Sequence, residues 1–417
     1  MNIYFSGIGG VGIGPLAEIA ADAGHHIQGS DAATTTMTEQ LKKRGVAIST
    51  NQDGSFLNEI HSQQPIEWFV HTSGLPDNHP EILLAQKLGI KKITKRDELL
   101  IEIISEKNLK LIAIAGTHGK TTTTGMTVWT LKQLGIPISY SVGTTLSFGS
   151  SGHYNPDSEY FIYECDEYDR NFLQFHPYVS VIPSIDYDHS ETYGTPDDYM
   201  EAFHQFIQQS SRSILWRSEA NLLGELPNTV VLTENDTLKI SLTGEHNRRN
   251  ATLVAKLVEL LELGMNDDTL NILGQFPGVD RRFEKLASNL YSDYGHHPVE
   301  IAATLQLAHE ISQDIVLVYQ PHQNMRQHEL RHYYSDCFGL ANEIYWLPTY
   351  LVREDPTLPI LTPAELVQDI TAKIPIHLAD LDDELWQGIQ QARDRGALVL
   401  FMGAGDIDDW VRAKLAV

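Results

Sequence analysis

Residues 109–124 read LKLIAIAGTHGKTTTT, and the order of residue types in this stretch predicts the fold around it. Four apolar residues, Leu111 to Ile114, precede Gly116, and a threonine-rich segment follows Lys120. An apolar run, a glycine turn and a polar helix start are typical of a buried parallel strand that leads into a helix. The first N–H groups of a helix have no partner inside it and lie at the positive end of its dipole, so this turn is suited to phosphate.

Two side chains of this turn have expected contacts with a nucleotide. Lys120 is placed to reach the β- and γ-phosphates of ATP, and the Thr121 hydroxyl is placed to hold Mg²⁺. The usual P-loop pattern has a glycine five positions before Gly119, where this chain has Ile114, so the loop departs from that pattern. A glycine turn with a chance lysine is the alternative, but strand, glycines, lysine and hydroxyls all fall in register.

The composition is that of a globular protein with several domains. At roughly 100–200 residues per domain, 417 residues predict two to four domains. The formal net charge of −25 would repel a nucleic acid backbone and an anionic membrane surface, so neither partner is expected. Two cysteines, Cys165 and Cys337, are too few for a disulfide framework. We find no signal peptide and no apolar run near the ~20 residues that span a bilayer, and we expect a cytoplasmic protein.

The N-terminus carries a dinucleotide-type glycine motif. Gly7, Gly9 and Gly12 fit G-x-G-x-x-G between a predicted strand at 2–5 and a predicted helix at 15–23. Asp31 follows a second predicted strand and lies 31 − 12 = 19 positions after the third glycine. In this fold the glycines admit a diphosphate to the helix N-terminus and the acid binds ribose hydroxyls. Taken alone, the motif indicates an NAD-dependent dehydrogenase, and a structural turn without ligand is the other alternative.

An acidic cluster, ECDEYD at 164–169, follows a predicted strand at 160–163. Four carboxylates in six residues are typical of a solvated turn, which is the default interpretation for Asp166, Glu167 and Asp169. Glu164 differs because it ends an apolar strand beside the expected triphosphate. Two like charges ~4 Å apart repel by about 4 kcal/mol at an effective dielectric constant near 20. A carboxylate at this place therefore requires Mg²⁺ between it and ATP.

Taken together, these motifs resemble the Mur ligase family, which builds peptidoglycan precursors. The loop GTHGKTT at 116–122 is similar to the ATP loop of that family. The N-terminal glycine turn resembles the turn that binds the UDP of the sugar nucleotide in the branch that attaches the first amino acid. Further similar elements follow in the same order: GSD at 29–31, SG at 73–74, NHPE at 78–81, RDELL at 96–100, GEHNRRN at 244–250, GVDRRFE at 278–284, DYGHHP at 293–298, QPH at 320–322 and GAGDI at 403–407.

The resemblance implies an α/β fold of three domains. These are an N-terminal Rossmann-like UDP-binding domain at 1–108, a central P-loop ATPase-like domain with a mostly parallel sheet at 109–280, and a C-terminal Rossmann-like domain at 281–417 that binds the amino acid. The pattern of the last part supports this, since it predicts alternating strands and helices, as a parallel sheet needs. The predicted strands are 290–293, 315–319, 343–347, 375–379 and 397–402.

The resemblance also implies the site residues. Mur ligases have a glutamate and a histidine that share a second Mg²⁺ at the positions of Glu164 and His189, although a histidine at a strand end is more often a structural hydrogen-bonder. The expected catalytic residues are Lys120, Glu164 and His189, and the expected metal ligands are Thr121, Glu164 and His189. The expected ATP contacts are Gly116, Thr117, His118, Gly119, Lys120, Thr121, Thr122, Asn247, Asn250, Arg282 (preferred to Arg281) and Asp293. The expected UDP-sugar contacts are Gly7, Gly9, Gly10, Gly12, Asp31 and Ser73. The expected amino-acid contacts are His297, His322 and Arg326, and Gln323 stands where an arginine is usual.

The implied function is an ATP- and Mg²⁺-dependent amide ligase of peptidoglycan synthesis. It joins L-alanine to the lactyl carboxylate of UDP-N-acetylmuramate through an acyl phosphate. Within the family, the alternative is a recycling ligase that adds a preformed tripeptide to the same sugar nucleotide. Outside it, the alternatives are the dehydrogenase and an inactive nucleotide-binding protein, and the intact Lys120, Glu164 and His189 argue against the latter. The sequence does not indicate an oligomeric state.

Overall fold

The computed structural model describes residues 1–72, 74–189, 192–352 and 354–416, which form three successive α/β sheets. The chain divides into two compact units. The first unit holds Met1–Thr237 and Asn250–Phe276, and the second holds Leu238–Arg249 and the residues from Pro277 onward. Within the described ranges, no helix combines the length and the apolar character needed to cross a bilayer.

The N-terminal sheet has the strand order β3-β2-β1-β4-β5, and all its strands are parallel. Its elements are β1 (Asn2–Ser6), α1 (Gly14–Asp22), β2 (His26–Ser30), α2 (Thr36–Lys43), β3 (Ala47–Ser49), α3 (Ser55–Gln63), β4 (Trp68–His71), α4 (Pro80–Lys87), β5 (Lys92–Lys95) and α5 (Arg96–Glu106). The strand order reverses between β1 and β4, which is where this architecture opens a ligand crevice. The glycine turn at 7–12 follows β1 directly at that crevice.

The central sheet has the order β12-β11-β10-β6-β9-β7-β8, with an antiparallel pair only at β7 and β8 among the described strands. The elements of this part are β6 (Lys110–Ile114), α6 (Lys120–Gln133), β7 (Ile138–Ser141), β8 (Gly152–His153), β9 (Tyr160–Glu164), β10 (Val179–Ile182), α7 (Pro196–Gln208), β11 (Arg212–Trp216), α8 (Arg217–Leu223), β12 (Thr229–Leu232), α9 (Glu245–Leu260) and α10 (Asp267–Gly274). The predicted strand, turn and helix at 109–124 are confirmed. β6 lies between β9 and β10, so the loops after these three strands meet at one sheet edge.

The third sheet has the order β13-β14-β18-β15-β16-β17. Its part of the chain contains β13 (Glu284–Ala287), β14 (Leu290–Asp293), α11 (Pro298–Ile311), β15 (Ile315–Tyr319), α12 (Asn324–Leu330), α13 (Tyr334–Cys337), β16 (Glu343–Trp346), α14 (Pro363–Leu366), β17 (Ile376–Leu378), α15 (Asp383–Asp394), β18 (Leu398–Met402) and α16 (Ile407–Leu415). All five strands predicted here are confirmed, three of them one residue shorter at one or both ends. The antiparallel edge strand β13 was not predicted.

In the first unit, the N-terminal and central sheets share one hydrophobic core. Leu16 of α1 and Leu99 of α5 belong to the same buried cluster as Phe161 of β9 and Phe203 of α7. The α1 helix also touches the β8 strand, where Glu18 accepts a hydrogen bond from the Gly152 N–H at 2.9 Å. Because apolar burial contributes about 25 cal/mol per Å², this shared core favours a fixed arrangement of the two sheets.

Candidate active site

The turn between β6 and α6 is held in a conformation that requires glycine at two positions. Gly116 has φ +152° and Gly119 has φ +81°. A Cβ atom at Gly116 would lie 2.6 Å from the Ser184 carbonyl oxygen, and one at Gly119 would lie 3.1 Å from Pro183. The turn is tied to the segment after β10, since the Thr117 N–H donates to the Ser184 carbonyl at 3.0 Å.

The start of α6 presents free main-chain donors. In the described part of the chain, the N–H groups of Gly119, Lys120 and Thr121 have no acceptor. These groups lie in the first turn of a 14-residue helix, at the positive end of its dipole. A helix start with unsatisfied N–H groups is a site for an anion such as phosphate.

Lys120 is half-buried and lies beside a buried carboxylate. Its Nζ lies 2.9 and 2.8 Å from the two carboxylate oxygens of Glu167 and also donates to the carbonyls of Gly116 and Thr117. Burial alone would lower the pKa of Lys120, but the Glu167 carboxylate raises that pKa above its ordinary value. The ammonium is therefore charged when it meets a ligand.

Glu167 is not part of a solvated turn, and that default interpretation is wrong for this residue. Its side chain is 1% exposed, whereas those of Asp166 and Asp169 in the same cluster are 40% and 53% exposed. Burial alone would raise the pKa of Glu167, but Lys120 and His189 hold that pKa below its ordinary value. The position of these carboxylates on a loop was predicted from the sequence, but no pattern in the sequence indicated which of them is buried.

Glu164 and His189 both lie close to this ion pair. Glu164 accepts hydrogen bonds from the Thr121 hydroxyl and from the Gly143 N–H, both at 2.7 Å. His189 Nε2 lies 3.5 Å from a Glu167 oxygen, and the His189 ring contacts the ring of Tyr168 edge-on. The structure thus brings Lys120, Thr121, Glu164 and His189 into one region, with Glu167 between Lys120 and His189.

The remaining residues expected near ATP are divided between the two units. In the first unit, His118 Nε2 lies 3.3 Å from Asp186, Thr117 donates to the Asp186 carbonyl, and Asn250 is buried next to Gly119. Thr122 follows Thr121 in α6 and is half-buried. In the second unit, Asn247 donates to the Thr243 carbonyl at 3.0 Å.

Arg282 and Asp293 belong to the second unit. Arg282 lies over the Tyr294 ring and 3.7 Å from Glu300, whereas Arg281 points to the carbonyl of Gly403. The carboxylate of Asp293 accepts from two main-chain N–H groups, those of Gly295 at 2.7 Å and Phe283 at 2.8 Å. Burial raises the pKa of Asp293. The two hydrogen bonds that its carboxylate accepts hold the loop after β14 in place.

The N-terminal glycine turn is ordered around two acceptors. Gly7 and Ile8 donate to the Ser30 carbonyl, and Gly9 donates to the Asp31 carboxylate at 2.8 Å. Gly10 donates to the Gly7 carbonyl, and the N–H groups of Val11 and Gly12 have no acceptor among the described residues. This turn therefore also offers donors at a helix start. Ser73 lies outside the described residues.

Two residues near this turn were not singled out from the sequence. Glu81 is fully buried and accepts from the hydroxyls of Tyr4, Ser6 and Ser30, which fixes the ends of β1 and β2. The guanidinium of Arg96 packs directly on Gly12, where any Cβ atom would overlap it. Their positions in the stretches 78–81 and 96–100 gave a signal only through the family resemblance.

The residues expected near the amino acid gather at the carboxyl ends of β14 and β15. Arg326 Nη1 lies 2.7 Å from His296 Nε2, and the rings of His296 and His322 are 5.4 Å apart. His297 has a structural role, because its ring accepts from the Val299 N–H at the start of α11. His296, which the sequence did not single out, is the histidine that contacts Arg326.

Family models and curated relatives match this chain. Residues 2–108 match the family described as "Mur ligase family, catalytic domain", and residues 114–233 match "Mur ligase middle domain". The UDP-N-acetylmuramate–L-alanine ligase of Agrobacterium fabrum is 30% identical, with 99% of this chain and 95% of that protein covered. The enzyme of the same name from Novosphingobium aromaticivorans is 29% identical over 98% of this chain and 95% of its own.

The chain belongs to the Mur ligase family. Solved structures with the same fold include the UDP-N-acetylmuramate–alanine ligase of Thermotoga maritima, with a TM-score of 0.77 at 24% identity over 100% of this chain and 98% of that one. A murein peptide ligase from Psychrobacter arcticus has a TM-score of 0.66 at 20% identity over 100% and 98%. This Mur ligase therefore has the predicted α/β fold class.

The donor set of this Mur ligase fits Mg²⁺ at one place. The hydroxyl of Thr121 and the carboxylate of Glu164 put two hard oxygen donors side by side at the start of α6. Within the described ranges, no three His, Cys, Asp or Glu side chains form a complete metal cage. Mg²⁺ commonly binds one or two protein oxygens and completes its shell with water and substrate phosphates, which suits this pair.

Proposed function

We propose that this Mur ligase uses ATP to join L-alanine to the lactyl carboxylate of UDP-N-acetylmuramate. The start of α6 carries the proposal, because three N–H groups without acceptors in the described chain lie there beside Lys120. The names of relatives that cover 98–99% of the chain support the choice of sugar nucleotide and amino acid. ATP as the phosphoryl donor agrees with a MurF ligase of Thermotoga maritima solved in complex with ADP.

The two nucleotides are assigned to the two glycine turns. ATP binds at the P-loop, with phosphate oxygens on the N–H groups of Gly119 to Thr121. Asn247, Asn250, Arg282 and Asp293 are the further residues that we assign to ATP. The UDP diphosphate binds at Gly7, Gly9, Gly10 and Gly12, with Asp31 and Ser73 toward the sugar nucleotide. The free N–H groups of Val11 and Gly12 support this second assignment.

The chemistry proceeds in two steps. The carboxylate of UDP-N-acetylmuramate attacks the γ-phosphorus of ATP, which releases ADP and forms an acyl phosphate. The amine of L-alanine then attacks the carbonyl carbon, and inorganic phosphate leaves with one oxygen of the former carboxylate. The contribution of this chain is positioning and charge, since the α6 N–H groups orient the phosphates and Lys120 offsets their charge.

Mg²⁺ is expected on Thr121 and Glu164, and a second Mg²⁺ is expected to be shared by Glu164 and His189. When bound, it would neutralise charge on the transferred phosphoryl group. The oxygen pair of Thr121 and Glu164 supports the first ion.

The amino acid is assigned to the loops after β14 and β15. An amino-acid carboxylate near several phosphates requires a cation, and the planar guanidinium of Arg326 matches carboxylate geometry. His297 and His322 shape the pocket, and the closeness of Arg326 to His296 supports a shared polar cluster. The tripeptide ligase is the second candidate, because neutral Gln323 replaces an arginine and hydrogen-bonds to the Val352 carbonyl.

We also propose three domains, at 1–108, 109–280 and 281–417, and a cytoplasmic protein without nucleic acid or membrane partners. The matched ranges 2–108 and 114–233 support the first boundary. The net charge of −25 supports the exclusion of anionic macromolecules.

Phosphate release tests the function directly. The enzyme is mixed with ATP, Mg²⁺ and UDP-N-acetylmuramate, and L-alanine, glycine, L-serine and the tripeptide are compared as acceptors. We expect L-alanine to be fastest, by factors of tens over glycine, because one methyl group discriminates by about 1–3 kcal/mol. A faster tripeptide would establish the second candidate, and no release that depends on UDP-N-acetylmuramate would exclude both.

A further inference from the structure

Glu167 occupies a position that the proposed chemistry does not yet use. It follows β9 and immediately precedes the 3₁₀ helix Tyr168–Gln174. Its main-chain carbonyl accepts from the hydroxyl of Tyr193 and from the Arg170 N–H, so backbone and side chain are both fixed. A carboxylate that is 1% exposed must be compensated by neighbouring groups.

The hydrogen bonds of Lys120 are fully used in this structure. Its ammonium has three N–H donors, and four oxygen atoms lie within hydrogen-bond distance: the carbonyls of Gly116 and Thr117 and both oxygens of Glu167. A phosphate oxygen can therefore bind to Lys120 only if one of these contacts is given up. Glu167 thus limits both where the ammonium lies and how strongly it attracts an anion.

The same carboxylate also contacts His189. Nε2 of His189 lies 3.5 Å from Oε1 of Glu167, one of the two oxygens that accept from Lys120. The backbone of His189 is in the left-handed region, with φ +59°, and its N–H donates to Asp188 at 2.7 Å. One buried side chain therefore contacts two residues that arrive from different loops, one after β6 and one after β10.

We propose that Glu167 is a positioning residue that holds the Lys120 ammonium and the His189 ring in the geometry needed for phosphoryl transfer. The inference rests on the proposed function. It differs from a purely structural role, because a carboxylate that restrains the lysine also reduces the positive charge available to ATP in the ground state. Its loss should weaken turnover without weakening ATP binding.

Three variants separate these roles. Glu167→Gln keeps the shape and removes the charge, and Glu167→Asp keeps the charge but shortens its reach. Asp169→Asn is the matched control, because Asp169 lies in the same acidic cluster, is 53% exposed and pairs with Lys95 at the surface. Its φ of +54° is one that asparagine tolerates.

For each variant, kcat is measured by phosphate release, ATP affinity by calorimetry without acceptor substrates, and folding by thermal melting. Outer-shell partners of this kind typically contribute about 10–100-fold, so we expect kcat of Glu167→Gln to fall by that factor. We expect ATP to bind roughly threefold to tenfold more tightly, because an uncompensated cation remains near the phosphates. Glu167→Asp should be intermediate, and Asp169→Asn should match the wild type.

Several results would overturn the proposal. These are a kcat of Glu167→Gln within threefold of wild type, an ATP affinity that falls together with kcat, or the failure of both Glu167 variants to fold. If the wild type shows no turnover with any acceptor, the proposed function fails. The calorimetric comparison of Glu167→Gln with Asp169→Asn still tests Glu167 in that case, and equal affinities would exclude its restraint of Lys120.

Discussion

Lys120 is the side chain on which the nucleotide site depends most. Because it forms an ion pair with the buried Glu167, removing it should affect the free energy of unfolding as well as turnover. Breaking a buried ion pair by removing one partner costs about 3–5 kcal/mol, because the other charge stays uncompensated. We expect Lys120→Met to abolish turnover and to lower the free energy of unfolding by about that amount. Adding Glu167→Gln should restore most of the stability and none of the turnover. Urea denaturation measures this, and equal stabilities of the single and double variants would contradict the pairing.

His246 should make stability depend on pH. Burial lowers the pKa of His246 to about 4, and its Nδ1 has no hydrogen-bond partner in the described chain. The unfolded chain takes up a proton near pH 6.5 and the folded chain only near pH 4. Stability should therefore fall as the pH drops from 6.5 to 4, by at most about 1.4 kcal/mol per pH unit from this group.

The variant His246→Asn tests this, because its side chain does not titrate in that range. Denaturation curves at pH 7 and pH 5 should show a smaller loss of stability for the variant than for the wild type. Identical pH dependence of the two proteins would contradict the role of His246.

Some of these side chains could be predicted from the sequence and others could not. Lys120 and Thr121 follow from their spacing to the glycines, because that spacing fixes them in the first turn of α6. The burial of Glu167 depends on Lys120, which is 47 residues away, so no local pattern could indicate it. His297 is predicted to line a pocket, and its ring also caps α11, a second role that only the following Pro298 and Glu300 suggest.

The α6 helix has a left-handed glycine at each end, and these two glycines make a matched pair. Gly119 before the helix has φ +81° and would place a Cβ 3.1 Å from Pro183, whereas Gly135 after it has φ +71° and open space. Alanine in this conformation costs roughly 1–2 kcal/mol at either place.

We expect Gly119→Ala to weaken ATP binding at least tenfold, because the helix start must shift, and Gly135→Ala to lose stability alone. Calorimetry with ATP and denaturation curves check both variants. Equal ATP affinities of Gly119→Ala and Gly135→Ala would contradict the role of the loop.

Strands with a continuous apolar run could be predicted nearly to the residue, because burial on both faces leaves a clear signal in the sequence. Ile315–Tyr319 and Leu398–Met402 are examples. The edge strand Glu284–Ala287 was not predicted, since its residues are half-buried or exposed and alternate poorly. It pairs with β14, and its Glu284 forms an ion pair with Arg412, which is distant in the sequence.

The whole chain has a net charge of −25, although both of its proposed nucleotide substrates are anions. The long-range field repels anions, so attraction has to come from short-range groups. The free N–H groups after β1 and β6 and the Lys120 ammonium are such groups, and each lies at the carboxyl end of a parallel strand. The fold therefore places N–H donors and a cation next to the phosphates, although the net charge of the whole chain repels them.

The central claim is that this Mur ligase activates a carboxylate as an acyl phosphate, and oxygen transfer tests it most directly. UDP-N-acetylmuramate labelled with ¹⁸O in both lactyl carboxylate oxygens is converted with ATP and L-alanine, and the products are analysed by mass spectrometry. We predict that each inorganic phosphate carries one ¹⁸O atom and that each amide retains the other. Phosphate without ¹⁸O, formed together with the amide, would contradict the account.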